Sequence, residues 1–318
     1  MTIPNEMKAA AIDRFGDVVH LENVPVPEPG KHEVLIKVAT AGVGTWDPSL
    51  VDGSFQDIKP HFPRVLGSDG AGTVAAGGSG VTRFQVGDRV YAWGLGNAHG
   101  GFFAEYAAVK ERDVAMVPDS LSFDEAGALA VCGVTAMQGL DELELDAGDS
   151  LVIFGASGGV GHMALQLAEI LDLRVFAVAS KDDGVELAHR LGADRVVEGH
   201  ARSLVKDLEA FAPDGFDGAL VLAGGNGWKR ELQTMRRGGT VAWPNGVEPV
   251  PVVPKGVHRK AYDGEDTRSA FEQLNDLIAR GPFHIELSKR YPLEMTAQAL
   301  RDVQHHHVGK LAIEVARA

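Results

Sequence analysis

Two hydrophobic patterns divide the chain. Between residue 7 and about residue 120, short apolar runs alternate with polar positions, as in Glu33-Val34-Leu35-Ile36-Lys37-Val38, Gly72-Thr73-Val74 and Asp88-Arg89-Val90-Tyr91. Pro29-Gly30, Gly77-Gly78-Ser79-Gly80 and Gly87-Asp88 punctuate them, so this region is predicted to be β-rich. At Ser122 the pattern changes. Ser122-Phe123-Asp124-Glu125 has the form of a capping box, and the small apolar residues that follow predict one long helix to about Leu140. Strands are then expected at 151–155, 174–179, 195–197, 218–222 and 240–243, with helices near 162–171, 184–191, 201–211 and 228–236. Such alternation specifies a parallel sheet covered on both faces. A helix over 267–280 places Phe271, Leu274, Leu277 and Ile278 on one face, and from about Pro282 the pattern is β-rich again. The expected organisation is a β-rich domain of residues 1–121, completed by 282–318, with an inserted α/β domain of residues 122–281.

Composition narrows the function classes. A chain of 318 residues is long for a single core, which favours two domains. The net charge of −14 makes nucleic acid a poor partner, because a phosphate-binding surface must be locally basic. The sequence contains no apolar run of membrane-spanning length, and Met1-Thr2-Ile3-Pro4-Asn5-Glu6 does not have the pattern of a signal peptide. Cys132 is the one cysteine, so there is neither an internal disulfide framework nor a cysteine-rich zinc site. The expected location is cytoplasmic, with no membrane partner. His305-His306-His307 reads as a surface loop, since no partner cluster lies near it in sequence.

Chemistry enters at Gly155-Ala156-Ser157-Gly158-Gly159-Val160-Gly161, directly after the apolar stretch Leu151-Val152-Ile153-Phe154. Strand, glycine turn and helix in succession form a pyrophosphate-binding unit. Gly158 admits the phosphates to the backbone, Gly161 lets helix and strand pack closely, and the helix start attracts the negative charge. NAD-binding units carry an acid about 20 residues further on, for the ribose 2′-hydroxyl. Here Ser180 and Lys181 stand in that place, and a hydroxyl with an ammonium suits a 2′-phosphate. NADPH is the expected cofactor, with NADH second: Asp182 and Asp183 follow at once and would serve NADH after a small loop shift.

An ordered series of motifs runs through the chain: Ala41-Gly42-Val43 with Asp47, Gly67-Ser68-Asp69-Gly70-Ala71-Gly72-Thr73-Val74, Val86-Gly87-Asp88-Arg89-Val90, Gly101-Phe102-Phe103-Ala104-Glu105-Tyr106, Thr135-Ala136, the glycine turn, Leu191-Gly192-Ala193-Asp194, Gly238-Gly239 and Val308-Gly309-Lys310. On these residues the chain resembles the medium-chain dehydrogenase/reductase superfamily, in its zinc-free quinone oxidoreductase branch. The resemblance implies an α/β architecture, a GroES-like catalytic domain plus a Rossmann doubly wound domain. It also implies NADPH and an electron-poor small-molecule acceptor. Zinc-dependent members place a cysteine at Gly44, a histidine at Ser68 and a third ligand near Val131, so the resemblance implies no zinc here.

By the same analogy Ala223 and Gly224 run beside the cofactor, and Asn245 and Gly246 approach the nicotinamide. Thr135 has two readings, a contact to the nicotinamide half or a helix hydroxyl bonded to its own backbone. Thr45, Trp46 and Asp47 are placed at the acceptor pocket, Trp46 as a flat apolar wall and Asp47 as the residue that fixes the loop. Phe55, Tyr91 and Trp93 read as core aromatics near the same cleft. Gly199-His200 supplies little where relatives reinforce the phosphate site with an aromatic or basic residue. A homodimer is expected through an edge strand near 257–262, beyond the interruptions at Pro251 and Pro254.

The expected activity is reduction of a quinone or a carbonyl-activated alkene. Two other readings stand beside it: a thioester enoyl reductase, and a non-enzymatic nicotinamide-binding protein of crystallin-like or regulatory type.

Overall fold

The computed structural model describes residues 2–55, 61–97 and 99–316. The chain begins with strands β1 (Glu6–Ile12), β2 (His20–Pro25) and β3 (Glu33–Val43), helix α1 (Asp47–Asp52), and strands β4 (Arg64–Val65), β5 (Asp69–Gly77), β6 (Arg89–Trp93), β7 (Tyr106–Lys110) and β8 (Val114–Met116). Helices α2 (Phe123–Ala126) and α3 (Ala130–Asp141) lead to β9 (Ser150–Phe154), α4 (Gly161–Ile170), β10 (Arg174–Ala179), α5 (Lys181–Arg190), β11 (Arg195–Glu198) and α6 (Leu204–Phe211). The rest comprises β12 (Phe216–Val221), β13 (Met235–Pro244), β14 (His258–Tyr262), α7 (Arg268–Ile278), β15 (Leu287–Pro292), α8 (Thr296–Asp302) and β16 (Lys310–Glu314).

These elements form two compact units. The first contains Met1–Val131, Asp266–Gln273 and His284–Ala318; the second contains Cys132–Glu265 and Leu274–Phe283. The division at Val131/Cys132 lies downstream of residue 121, where the sequence pattern changes. The reason is local: Thr40 donates to Asp124 at 3.0 Å and the Val131 N–H to Asp69 at 3.3 Å, which fastens residues 123–131 to the first unit.

In the first unit, strands in the order β15-β16-β3-β5-β6-β8, with β7 also paired to β3, make one sheet, and β2-β1-β4 make a second. β3 is the hinge of this architecture. Its alternate residues Val34, Ile36 and Val38 enter one apolar cluster, while Leu35 enters another with Met7, Ala9 and Tyr106. A strand buried on both faces needs apolar residues at both parities, which explains why the alternation read over 33–38 is interrupted at Leu35. Tyr91 is fully buried against Phe271, with ring centroids 5.6 Å apart and edge to face, so it is a core residue. Phe55 packs on the cluster that holds Val34, Ile36 and Val38, and Trp93 is buried.

In the second unit the parallel sheet runs β11-β10-β9-β12-β13-β14. The order reverses at β9, where β10 lies on one side and β12 on the other; open α/β sheets bind ligands at the carboxyl ends of strands around such a switch. β14 stands at the edge, at the place the sequence indicates. No helix among the described residues is long and apolar enough to cross a membrane.

Two expected helices need correction. The long helix from Ser122 is divided into α2 and α3 at residues 127–129, where Ala128 and Leu129 donate to carbonyls three residues back. Gly127 there packs on Thr40, an added Cβ lying 2.6 Å from the Thr40 carbonyl oxygen. The capping box itself is present: Ser122 accepts from the Glu125 N–H, and Glu125 reaches back to the Ser122 N–H at 3.1 Å. The expected helix at 228–236 is a short 3₁₀ segment, Glu231–Thr234, after which Met235 already belongs to β13. Gly225, Gly227 and Trp228 all have positive φ, and a chain in that conformation cannot start an α-helix.

Candidate functional site

In the second unit the glycine turn joins the carboxyl end of β9 to α4. The N–H groups of Gly155 and Ala156 both donate to the Val178 carbonyl at 3.0 Å, which pins the turn to neighbouring β10. A Cβ on Gly161 would sit 2.8 Å from the Ala156 Cα and inside the Gly155 carbonyl oxygen, so only glycine allows α4 this close to the strand. At Gly158, by contrast, a Cβ would meet one atom at 3.5 Å, which leaves open space beside the backbone. Val160 provides no side-chain cap for α4. The His162 N–H donates to the Gly158 carbonyl at 3.0 Å, and a helix start without a side-chain cap is the kind of place that attracts an anion.

The downstream pair is brought to the same place. Ser157 Oγ accepts from the Ser180 N–H at 3.3 Å, and the two hydroxyls lie 3.3 Å apart, tying the turn to the end of β10. Lys181 follows, exposed and with φ of +54°, a left-handed conformation unusual for a residue with a side chain. Asp182 and Asp183 are both exposed, and Asp183 accepts from the Gly184 N–H at 2.9 Å.

Tyr262 links two further sequence-predicted positions. Its hydroxyl donates to the Thr135 carbonyl at 2.9 Å, and its own carbonyl accepts from the Asn245 N–H at 2.8 Å. The Asn245 side chain donates to Asp263 at 2.8 Å, and Gly246 has nothing around it that a Cβ would meet. Ala223 accepts from the Trp228 indole at 2.5 Å, and Gly224 follows it in the same turn.

The first unit carries a buried polar group at the start of α1. Asp47, almost wholly buried, accepts from the Gly44 N–H at 2.7 Å and from Ser68 Oγ at 2.5 Å. Ser68 Oγ in turn accepts from the Trp46 indole N–H at 2.8 Å. A Cβ on Gly44 would fall 2.7 Å from Trp46 Cδ2 and closer still to two other ring atoms, so the indole fills the space that a side chain at 44 would take. The Lys310 ammonium lies 5.3 Å from the centroid of that ring.

Burial raises Asp47 to about 6, against the two hydrogen bonds and the Lys310 charge, which favour the carboxylate. Burial raises Asp69 as well, again opposed by Lys310 and by the Val131 N–H. Thr45 is exposed, and its carbonyl accepts from Gln304 at 3.2 Å. A depression in this unit is lined by Leu50, Arg64, Leu66, Gly67, Gly94 and Leu95; it borders the segment that carries Ser68, but Trp46, Asp47 and Ser68 do not line it.

Ser68 and Lys310 were not singled out from sequence as members of this group. The available signal was a lysine opening the apolar run Lys310-Leu311-Ala312-Ile313: a cation placed in a buried strand needs compensating charge, here from Asp47 and Asp69.

Comparison with known proteins agrees with this geometry. Residues 30–119 match the family model for an alcohol dehydrogenase GroES-like domain, and residues 159–252 the model for a zinc-binding dehydrogenase. The chain belongs to the medium-chain dehydrogenase/reductase superfamily and is an oxidoreductase of that family. It is similar to an alcohol dehydrogenase of Moraxella sp., 34% identical over 76% of this chain and 78% of the relative. It is also similar to the chloroplastic NADPH-dependent alkenal/one oxidoreductase of Arabidopsis thaliana, 30% identical over 98% of this chain and 80% of the relative. The structure of the quinone oxidoreductase from Coxiella burnetii superposes with a TM-score of 0.85, at 27% identity, covering 98% of this chain and all of that one (100%).

Proposed function

We propose that the protein is an NADPH-dependent, zinc-independent reductase that transfers hydride to a quinone or a carbonyl-activated alkene. The observation that carries this reading is the Trp46 indole packed on Gly44 and bonded to Ser68. Zinc-dependent relatives need a thiolate at the first position and an imidazole at the last. Here the space is taken by a ring that offers no ligand atom, and Ser68 is engaged by Trp46 and Asp47. A site without a Lewis acid favours acceptors that need little polarisation, and quinones and conjugated enones are of that kind.

A bound nicotinamide supplies the hydride. Ala156, Ser157, Gly158, Gly159, Val160 and Gly161 would hold the pyrophosphate, and Ser180 with Lys181 the 2′-phosphate. Ala223 and Gly224 would run beside the cofactor, and Thr135, Asn245 and Gly246 would meet its nicotinamide half. Trp46 and Thr45 meet the acceptor. Asp47 positions the loop through its bonds from the Gly44 N–H and Ser68 Oγ, and the completing proton comes from solvent. The NADPH preference is supported by the exposed Lys181 and by the engagement of Asp183 with its own helix.

The test is steady-state oxidation of NADPH and of NADH with 1,2-naphthoquinone and a series of 2-alkenals, before and after chelation. Turnover with NADPH that survives chelation is expected. No acceleration by any acceptor, or activity lost to a chelator and restored by zinc, overturns the reading. We further propose a cytoplasmic homodimer formed along β14, the sheet's edge strand; a monomeric mass by light scattering at micromolar concentration contradicts the dimer.

A further inference from the structure

Trp228 stands in the turn after β12 with φ of +49°, a conformation that a bulky residue keeps only where its surroundings impose it. Three contacts do so. Its indole N–H donates to the Ala223 carbonyl at 2.5 Å, at the end of β12. Its ring lies on Phe154, the last residue of β9, with centroids 4.5 Å apart and planes 32° from parallel. A Cβ on Gly225 would fall 2.7 Å from the ring, so the turn has room for the indole only because residue 225 has no side chain.

The far edge of the ring reaches across the sheet. A Cβ on Gly199, just past β11, would be 3.5 Å from Trp228 Cη2. The indole thus runs from the end of β12 past the end of β9 to the end of β11, on either side of the point where the strand order reverses. Phe154 and the apolar cluster beneath it take one side of the ring, while Trp228 as a whole remains half-buried. Its Cη2 edge thus lies beside Gly199, which has no side chain to cover it, and part of the residue stays exposed.

We propose that Trp228 is a cofactor-binding residue, its indole forming the apolar floor against which the adenosine half of the dinucleotide packs. The inference rests on the nicotinamide reading above and adds to it a residue that lies outside the glycine turn and the Ser180-Lys181 pair. An aromatic surface suits a purine because the base presents a flat face of matching size, and its hold is indifferent to the nicotinamide end of the molecule.

The experiment titrates the full chain with NADPH, 2′,5′-ADP and 5′-ADP, following affinity by calorimetry and tryptophan emission by fluorescence. Trp228→Leu is expected to raise the Kd for the adenosine ligands about tenfold, with Trp228→Phe in between. The emission change produced by the better-bound of 2′,5′-ADP and 5′-ADP in the wild type is expected to vanish in Trp228→Phe, which keeps an aromatic ring on Phe154. Unchanged affinity in Trp228→Leu overturns the proposal. So does an emission change that persists in Trp228→Phe, and this second measurement decides the matter if Trp228→Leu folds poorly. A wild-type protein that binds neither NADPH nor NADH overturns the nicotinamide reading itself and this proposal with it.

Discussion

The glycine turn at 155–161 and the loop at 44–47 both depend on glycines that cannot accept a Cβ, but the obstacle differs. At Gly161 it is backbone, the Gly155 carbonyl and the Ala156 Cα, a few residues away in the chain. At Gly44 it is the Trp46 side chain, held in place by Ser68 and Asp47. The first constraint is local and would be present in any sequence that makes this strand-turn-helix. The second exists only because a particular set of side chains meets across the sheet. Under the proposed function the turn serves what is general, dinucleotide binding, and the loop carries what is particular to this chain.

The largest expected effect tests the backbone constraint. Gly161→Val places branched carbons where a single Cβ already overlaps backbone, and neither the carbonyl nor the Cα can swing aside. Overpacking of this kind costs about 3 kcal/mol or more. The variant is expected to lose NADPH binding and to melt at lower temperature, read by calorimetry and thermal denaturation. Retained affinity would mean that the helix can move off the strand, and the contrast between the two glycines would disappear.

The loop is better tested by pH. Burial lifts Asp47 to about 6, above its ordinary value of 3.8. Between those two values the native protein holds a proton that the unfolded chain has released, so stability falls as pH rises through the window. Above pH 6 the full penalty is on the order of 3 kcal/mol. Asp47→Asn removes this titration and keeps an amide that can accept from the Gly44 N–H. The stability of Asp47→Asn relative to wild type is expected to rise between pH 4 and pH 7, measured by urea unfolding at each pH. Asp113, raised to about 6 by burial and by Asp266, titrates in both proteins and cancels in the difference. A flat difference would show that Asp47 is not held in a buried setting.

The same contrast explains what could be read from sequence. Strand and helix order in the second unit follows hydrophobic period and turn residues, all short-range signals, and the sheet matches it from β9 to β14. Where a distant group intervenes, the reading fails. The expected helix is divided at residues 127–129, within a segment held by Thr40 and Asp69, and the segment at 228–236 is held in turn form by the Trp228 contacts to Phe154 and Ala223. Trp46 and Ser68 are 22 positions apart, and Ser68 and Asp47 are 21 apart. No periodicity reveals such a hydrogen bond, so the sequence shows Trp46 as an aromatic beside Gly44 but not as the ring that packs on Gly44 and bonds Ser68.

A smaller effect is expected at Gly44 itself. Gly44→Ala puts a methyl group into the Trp46 ring, but a side chain can rotate where a backbone cannot. The expected cost is about 1–2 kcal/mol, at the low end of overpacking, because the indole can give way by breaking its bond to Ser68. Under the proposed function, KM for a planar quinone should rise while the NADPH Kd stays unchanged. Loss of NADPH affinity in Gly44→Ala would show that the loop is not confined to the acceptor side.

The smallest effect has opposite signs on two measurements, and it separates a functional conformation from an incidental one. Lys181 sits at φ of +54°, where a non-glycine residue carries a steric cost of about 1 kcal/mol. Lys181→Gly relieves that cost but makes the unfolded chain more flexible, so the net gain in stability is expected to be a few tenths of a kcal/mol. The same change removes the ammonium proposed to meet the 2′-phosphate, and the NADPH Kd is expected to rise about tenfold, a loss of about 1.4 kcal/mol. NADH affinity should not move. A protein that becomes slightly more stable as it loses its preference for NADPH has kept a strained lysine for the sake of the phosphate. If both affinities stay the same, the strain serves no ligand, and the discrimination between the two dinucleotides lies elsewhere in the turn.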